Sequence, residues 1–158
     1  MIGRGSQWRR WEPHIHAPGT VLNNQFGVGD DAWNAYISSL EAASPKIEAF
    51  AVTDYYLTDT YESVLKQKAA GRLPHVQLIF PNVELRLDVA AKTGFVNLHL
   101  LVSPEDPNHL AELHRILQRL QFQAHGDTFN CTRADLISLG KKADSSIVDD
   151  RAALAHGA

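Results

Sequence analysis

The chain has 158 residues, 44% of them hydrophobic and 21% charged, and a formal net charge of −3 with neutral histidines. These values are typical of one globular domain and exclude collagen-like, coiled-coil and wholly disordered chains. They also exclude an overall basic field for nucleic acid, and no apolar run is long enough to be a membrane span or a secretory signal. Because Cys131 is the only cysteine, a disulfide within the chain and a cysteine-rich zinc site are excluded, and we expect a reducing, cytoplasmic location.

The spacing of apolar residues and turn residues predicts alternating strands and helices. The predicted elements are strands over 8–17, 47–53, 76–80, 83–89 and 95–102, and helices over 31–43, 59–70, 108–122, 134–139 and from 148 to the end. This order predicts an α/β fold, with a mostly parallel sheet covered by amphipathic helices. The last helix has no obvious stop at Ala158. We therefore expect residues 1–158 to form a single domain that is the N-terminal portion of a longer chain.

The residues His14-Ile15-His16 carry the strongest chemical signal in the sequence. Residues i and i+2 of a strand point to the same face, so the two imidazoles lie side by side, ~6–7 Å apart along the strand. They can converge on one cation, while Ile15 points the other way, into the core. We therefore predict that His14 and His16 are metal ligands.

Further candidate ligands stand at or near the ends of the following strands. Asp54 follows the second strand, Glu84 comes after the third, and His99 lies within the next. In α/β sheets and barrels, ligands bind at the carboxyl ends of parallel strands, so these side chains are expected to meet at one edge. A mixed set of imidazoles and carboxylates suits Zn²⁺, Mn²⁺ or Fe²⁺.

Each of these residues also has a purely structural interpretation. His99, inside an apolar strand, could be a core histidine with a backbone hydrogen bond, and Glu84 could be exposed on an edge strand. Asp54 could be a turn residue or the N-cap of the helix that follows. Other catalytic motifs are absent from the sequence: it has no GxxxxGK[ST] loop, no GxGxxG fingerprint and no GxSxG elbow, so ATP binding by this segment is not expected.

The ordered set resembles the polymerase and histidinol phosphatase (PHP) family. The resemblance rests on His14-x-His16 after a first strand, Thr53-Asp54 after the second, Glu84 after the third and His99 in the next. It implies the N-terminal part of a distorted (β/α)₇ barrel with two or three metal ions at the strand ends. It also implies hydrolysis of phosphoesters.

A narrower resemblance concerns the opening of the chain. The stretch Arg4-Gly5-Ser6-x-Trp8-Arg9-x-Trp11-Glu12-Pro13-His14-Ile15-His16-Ala17-Pro18-Gly19-Thr20, with Asn23-x-Gln25-Phe26 after it, is similar to PHP-type domains at the head of large bacterial SMC-like ATPases. Those proteins are linked to DNA repair or anti-phage defence. The resemblance implies a nucleic-acid substrate and an ATPase region, either downstream in the same protein or on a partner.

Two departures from the family pattern bear on the metal site. The family writes its second motif Thr-Asp-His, and its histidine binds metal, whereas this chain has Tyr55 at the third position. A phenol with a pKa near 10 is a poor ligand at neutral pH, so one metal position is weakened or lost. The family's later Asp-x-His motif, and the histidine that precedes it, have no match up to Ala158.

The sequence and the resemblance together predict a metal-dependent phosphoesterase, namely a nuclease module coupled to a downstream ATPase in DNA repair or phage defence. His14, His16, Glu84 and His99 would hold a divalent cation (Mn, Zn, Fe or Mg), with Asp54 as a further ligand or behind the ligands, and the cation would activate water. Arg9 or Arg10 would hold a substrate phosphate. The alternatives are a degenerate PHP module that docks a partner, which Tyr55 favours, and hydrolysis of amides or esters of the amidohydrolase type.

Overall fold

The computed structural model describes residues 8–92 and 94–158. Residues 1–7, which include the Arg4-Gly5-Ser6 part of the opening motif, and residue 93 lie outside the described part. The strands are β1 (Arg10–His16), β2 (Ile47–Tyr55), β3 (Leu78–Ala91), β4 (Gly94–Leu101), β5 (Gln121–Ala124) and β6 (Asp127–Asn130). The helices are α1 (Asp30–Ala42), α2 (Asp59–Ala69), α3 (His109–Leu117), α4 (Arg133–Ala143) and α5 (Asp150–Gly157).

The main sheet has the strand order β1-β2-β3-β4. β1, β2 and β3 are parallel to one another, and β4 returns antiparallel to β3. The sheet curls into a half-barrel, so the predicted α/β fold with a mostly parallel sheet is confirmed. None of the described helices is both long and apolar enough to cross a membrane.

The central strand β2 explains where the core lies. Every β2 residue except the half-buried Glu48 is buried, which is typical of a parallel strand covered on both faces. Phe50 and Val52 pack under the two flanking helices, against Ile37 of α1 and Val64 of α2. The helices therefore cover the outer face of the sheet, and the inner face remains for polar side chains.

Three predicted elements differ from the observed ones. The strands predicted over 76–80 and 83–89 are one strand, β3, which runs through Pro81 because this residue keeps its place opposite Val52. The helix predicted over 108–122 ends at Leu117, and the chain then forms the β5–β6 hairpin. His125 and Gly126 both have positive φ angles, 49° and 80°, as a two-residue hairpin turn requires.

The two C-terminal helices begin with side-chain caps. The Thr132 hydroxyl accepts from the backbone N–H of Asp135 and caps α4, and Asp149 caps α5 in the same way. The two helices pack at unusually short range, because the Cβ of an alanine at Gly140 would lie 1.9 Å from the carbonyl oxygen of Ala153. Glycine is therefore required at this contact.

Candidate metal centre

Several polar residues of the sheet lie on its inner face, in two neighbouring rows. Register places His16 beside Thr53 and Thr53 beside Asn82. In the next row Tyr55 lies beside Glu84, and Glu84 lies beside His99. Parallel pairing and the two-residue alternation of strands therefore bring these side chains to one place.

A group of three side chains could hold a metal ion: His14, His16 and Glu84. The Nε2 atoms of the two histidines are 3.0 Å apart, and Glu84 Oε2 lies 3.8 Å from His14 Nε2 and 3.7 Å from His16 Nε2. A Zn²⁺ ion lies ~2.1 Å from a nitrogen or oxygen ligand, so two ligands of one ion are at most ~4.2 Å apart. All three separations satisfy this limit, and the donor set suits a divalent transition metal.

Glu84 has an unpartnered oxygen that points into this group. Its side chain is 3% exposed, and among the described residues Oε2 has no hydrogen-bond partner. The other oxygen, Oε1, accepts a 2.5 Å bond from the Asn97 amide of β4. Because a buried carboxylate oxygen without a partner is costly, a cation beside Oε2 is the species that would offset this cost.

The loop that follows β1 holds the neutral His16 ring in one tautomer. The Thr20 hydroxyl donates its only proton to Asp54, so Thr20 Oγ1 can only accept from His16 Nδ1, 3.4 Å away. This leaves His16 Nε2 free as a ligand atom. Burial lowers the pKa of His16, neighbouring His14 lowers it further and Glu84 raises it. The imidazole therefore stays neutral to lower pH, as metal binding requires.

Asp54 lies behind this group, on the opposite face of β2 from Thr53 and Tyr55. It is 2% exposed and accepts hydrogen bonds from the Thr20 hydroxyl, the Thr60 hydroxyl and the backbone N–H groups of Val21 and Tyr55. Burial raises the pKa of Asp54 to about 6, although the four donors lower it. Asp54 therefore contacts His16 only through Thr20, in the manner of a residue that orients a metal ligand.

His99 stands at the edge of the group and is exposed. Its ring lies 4.7 Å from the His14 ring, centroid to centroid, and its Nδ1 is 3.1 Å from Asn82 Oδ1. The Asn82 amide nitrogen donates to the Pro13 carbonyl, which can only accept, so Oδ1 must face His99. His99 Nδ1 therefore carries the proton, and Nε2 is free to bind a cation.

Tyr55 occupies the position where the resembling family has a histidine ligand. Its ring stacks on His16 at 5.8 Å, and its hydroxyl accepts from the Asn23 amide at 3.1 Å. Burial raises the pKa of Tyr55, the Glu84 carboxylate raises it further, and the Arg86 guanidinium lowers it. A phenol with a raised pKa keeps its proton, so Tyr55 lines the group and donates no ligand atom at neutral pH.

The structure does not bring the two predicted substrate-binding arginines to this group. Arg9 forms an ion pair with Glu48, and Arg10 forms one with Glu12 at 2.7 Å. Arg10 and His16 are the first and last residues of β1, roughly 20 Å apart at the usual rise of a strand. Both arginines therefore lie at the opposite end of the strand from the histidines.

The amide and hydroxyl residues that hold the ligands, and one arginine beside them, are not among the residues predicted from the sequence. A signal for them was present, because Asn82, Glu84 and Arg86 alternate along β3 and Asn97 precedes His99 by two residues. Polar residues at every second position of an otherwise apolar strand indicate a polar face.

No protein-family model matches this chain, and no curated protein matches it.

Proposed function

We propose that this chain is a metal-dependent phosphoesterase, with the His14, His16 and Glu84 group as its metal site. The observation that carries the proposal is the buried Oε2 of Glu84, which has no hydrogen-bond partner in the described part of the chain and faces two imidazole nitrogens within the span of one cation. The PHP-like motif order supports the same reaction class, and with it the finer assignment of the fold as the N-terminal part of a distorted (β/α)₇ barrel. The resemblance of the opening stretch to PHP-type domains of SMC-like ATPases supports nucleic acid as the substrate and an ATPase region as the partner.

The residues have separate tasks in this proposal. His14, His16 and Glu84 hold the cation, and His99 adds its free Nε2 from the neighbouring strand. A bound divalent metal supplies a water of lowered pKa and neutralises charge on the phosphate. The side chain of His14 is 46% exposed, so the group can be reached from solvent, while Glu84 at 3% exposure lies beneath it. Substrate would therefore approach over His14.

The chemistry that these residues serve is hydrolysis at phosphorus. A water oxygen bonds to phosphorus, the bond from phosphorus to the leaving ester oxygen breaks, and the leaving oxygen takes up a proton from solvent or from a nearby acid.

The proposal is tested by metal content and hydrolysis measured on the same samples. The chain is loaded with Mn²⁺ or Zn²⁺, dialysed and analysed for bound metal. It is then assayed with bis(p-nitrophenyl) phosphate, with single-stranded DNA and with p-nitrophenyl acetate. We expect near-stoichiometric metal in the wild type and none in a His14→Ala/His16→Ala double variant. The matched control is His75→Ala/His156→Ala, which removes two exposed histidines outside the group.

The outcomes separate the competing functions. Bound metal with cleavage of the phosphodiester supports the phosphoesterase. Bound metal with cleavage of p-nitrophenyl acetate only would indicate the amidohydrolase type of reaction instead. A wild type that holds no metal would sink the enzyme proposal for this chain and favour a degenerate PHP module that docks a partner, the function that Tyr55 in place of histidine favours.

A further inference from the structure

An arginine stands beside the metal group on the same face of the sheet. Arg86 follows Glu84 by two residues in β3, so both side chains leave the strand on the inner face. The Arg86 guanidinium carbon lies 5.6 Å from the centroid of the Tyr55 ring, and Tyr55 itself borders Glu84 and stacks on His16. Arg86 is therefore a cation at the rim of the group.

The backbone of Arg86 is fixed while its side chain is exposed. The Tyr56 hydroxyl accepts from the Arg86 backbone N–H at 3.0 Å and donates to the Arg86 carbonyl at 3.2 Å. The side chain reaches solvent, and no ion pair among the described side chains includes it. Opposite Arg86 in β4 stands Asn97, which holds Glu84. A guanidinium in this setting can turn its donors toward a bound molecule.

Resting on the proposed function, we infer that Arg86 is the phosphate-binding residue of this site. It would bind non-bridging oxygens of a phosphate ester whose reacting phosphorus lies over the His14, His16 and Glu84 group. A planar guanidinium donates two parallel hydrogen bonds to such oxygens. Arg86 thus takes the role that the sequence analysis gave to Arg9 or Arg10.

Arg86 also adds charge beside the metal group. It brings one permanent positive charge to the same side of Glu84 and is placed over the Tyr55 ring. Positively charged donors stabilise the charge that develops on a phosphoryl group.

The test measures binding of phenylphosphonate, a phosphate-ester mimic that cannot be hydrolysed, by calorimetry on the Mn²⁺-loaded protein. We expect Arg86→Gln to weaken binding ~10-fold or more, as the loss of a charge-assisted bond predicts, and Arg86→Lys to restore part of it. Mn²⁺ affinity, titrated separately, should change less than ~3-fold, because Arg86 is not a ligand. Arg9→Gln is the matched control and should bind like the wild type.

The results distinguish this inference from the function on which it rests. Equal phenylphosphonate affinity in wild type and Arg86→Gln, with Mn²⁺ bound in both, overturns the inference and leaves the metal site standing. A wild type that binds no Mn²⁺ overturns both. Thermal unfolding of each variant establishes that it is folded, and Arg86→Lys keeps the charge where Arg86→Gln fails to fold.

Discussion

The Thr20 hydroxyl and the Asp54 carboxylate form a buried hydrogen bond of 2.8 Å that joins the loop after β1 to the end of β2. The same carboxylate accepts the backbone N–H of Val21, so two consecutive residues of the loop are fixed by one side chain. Because Thr20 in turn contacts the His16 ring, Asp54 controls the position of a candidate ligand that it does not touch.

Replacing Asp54 with asparagine should change how stability depends on pH. The Asp54 carboxyl group holds its proton up to about pH 6 in the folded chain, but only up to its ordinary 3.8 when unfolded. Between these values the folded state binds more protons, so the free energy of unfolding falls as pH rises. We expect the wild type to lose about 2 to 3 kcal/mol more than Asp54→Asn across this window.

Urea unfolding at a series of pH values measures this difference directly. Asp31→Asn serves as the control, because Asp31 is exposed in the first turn of α1 and should leave the wild-type pH profile in place. Parallel profiles for wild type and Asp54→Asn would show that the four donated hydrogen bonds keep Asp54 ionised, contrary to the effect of burial.

Gly140→Ala should destabilise the packing of α4 against α5. The added Cβ would lie 1.9 Å from the Ala153 carbonyl oxygen, which is backbone and cannot turn aside. Overpacking of this kind costs about 1 to 3 kcal/mol, and we expect a value at the upper end. Chemical denaturation gives the free energy, and hydrogen exchange shows whether α5 amides lose protection first. Ser138→Ala, exposed on the same helix, should change stability by less than ~0.5 kcal/mol.

The sequence predicts the strands and helices well where the pattern of one element is unambiguous. The central strand β2 is a continuous apolar run, and its neighbours follow from parallel topology. The β5–β6 hairpin was not predicted, because Leu120 continues the stripe of Leu113, Ile116 and Leu117 at helical spacing. Phe122 stacks on Phe129 across the two strands, a tertiary contact that this local pattern does not reveal.

The candidate site, too, could be predicted from the sequence only in part. His14 and His16 share a face because strand periodicity is local, so their proximity could be predicted. Asp54, which follows the predicted strand, was expected either as a further ligand or behind the ligands. In a strand a shift of one residue reverses the face, so Tyr55 faces the site and Asp54 lies behind it. Nothing in the sequence marks Asn82 as the partner of His99, because this contact depends on the register of β3 against β4.

Glu84→Gln should weaken metal binding and stabilise the metal-free chain. In the metal-free chain the variant removes a buried charge whose Oε2 has no partner among the described residues, so we expect the free energy of unfolding to rise by about 1 to 3 kcal/mol. Its amide can still accept from Asn97. Metal affinity should fall at least as far as the ~10–100-fold typical of residues that orient ligands.

Unfolding with and without Mn²⁺ measures both effects of this substitution. At ~100 times the dissociation constant, metal should stabilise the wild type by about 2.7 kcal/mol and leave Glu84→Gln almost unchanged. Glu12→Gln, a carboxylate of β1 paired with Arg10 on the surface, is the control and should respond to metal like the wild type. A metal-free Glu84→Gln that is less stable than the wild type would show that Oε2 is satisfied without a cation.

Asn82 has two roles, because its amide nitrogen and its amide oxygen bind different partners. The nitrogen joins neighbouring strands, and the oxygen orients His99. The nitrogen donates to Pro13 O and Thr53 Oγ1, and the oxygen accepts from His99. Asn82→Asp keeps the acceptor and should lose about 1 to 3 kcal/mol of stability while holding metal affinity within a few-fold. Asn82→Leu loses both, and we expect metal affinity to fall ~10–100-fold as well. Calorimetric titration with Zn²⁺ decides: equal affinities for the two variants would mean that His99 takes no part in binding the metal.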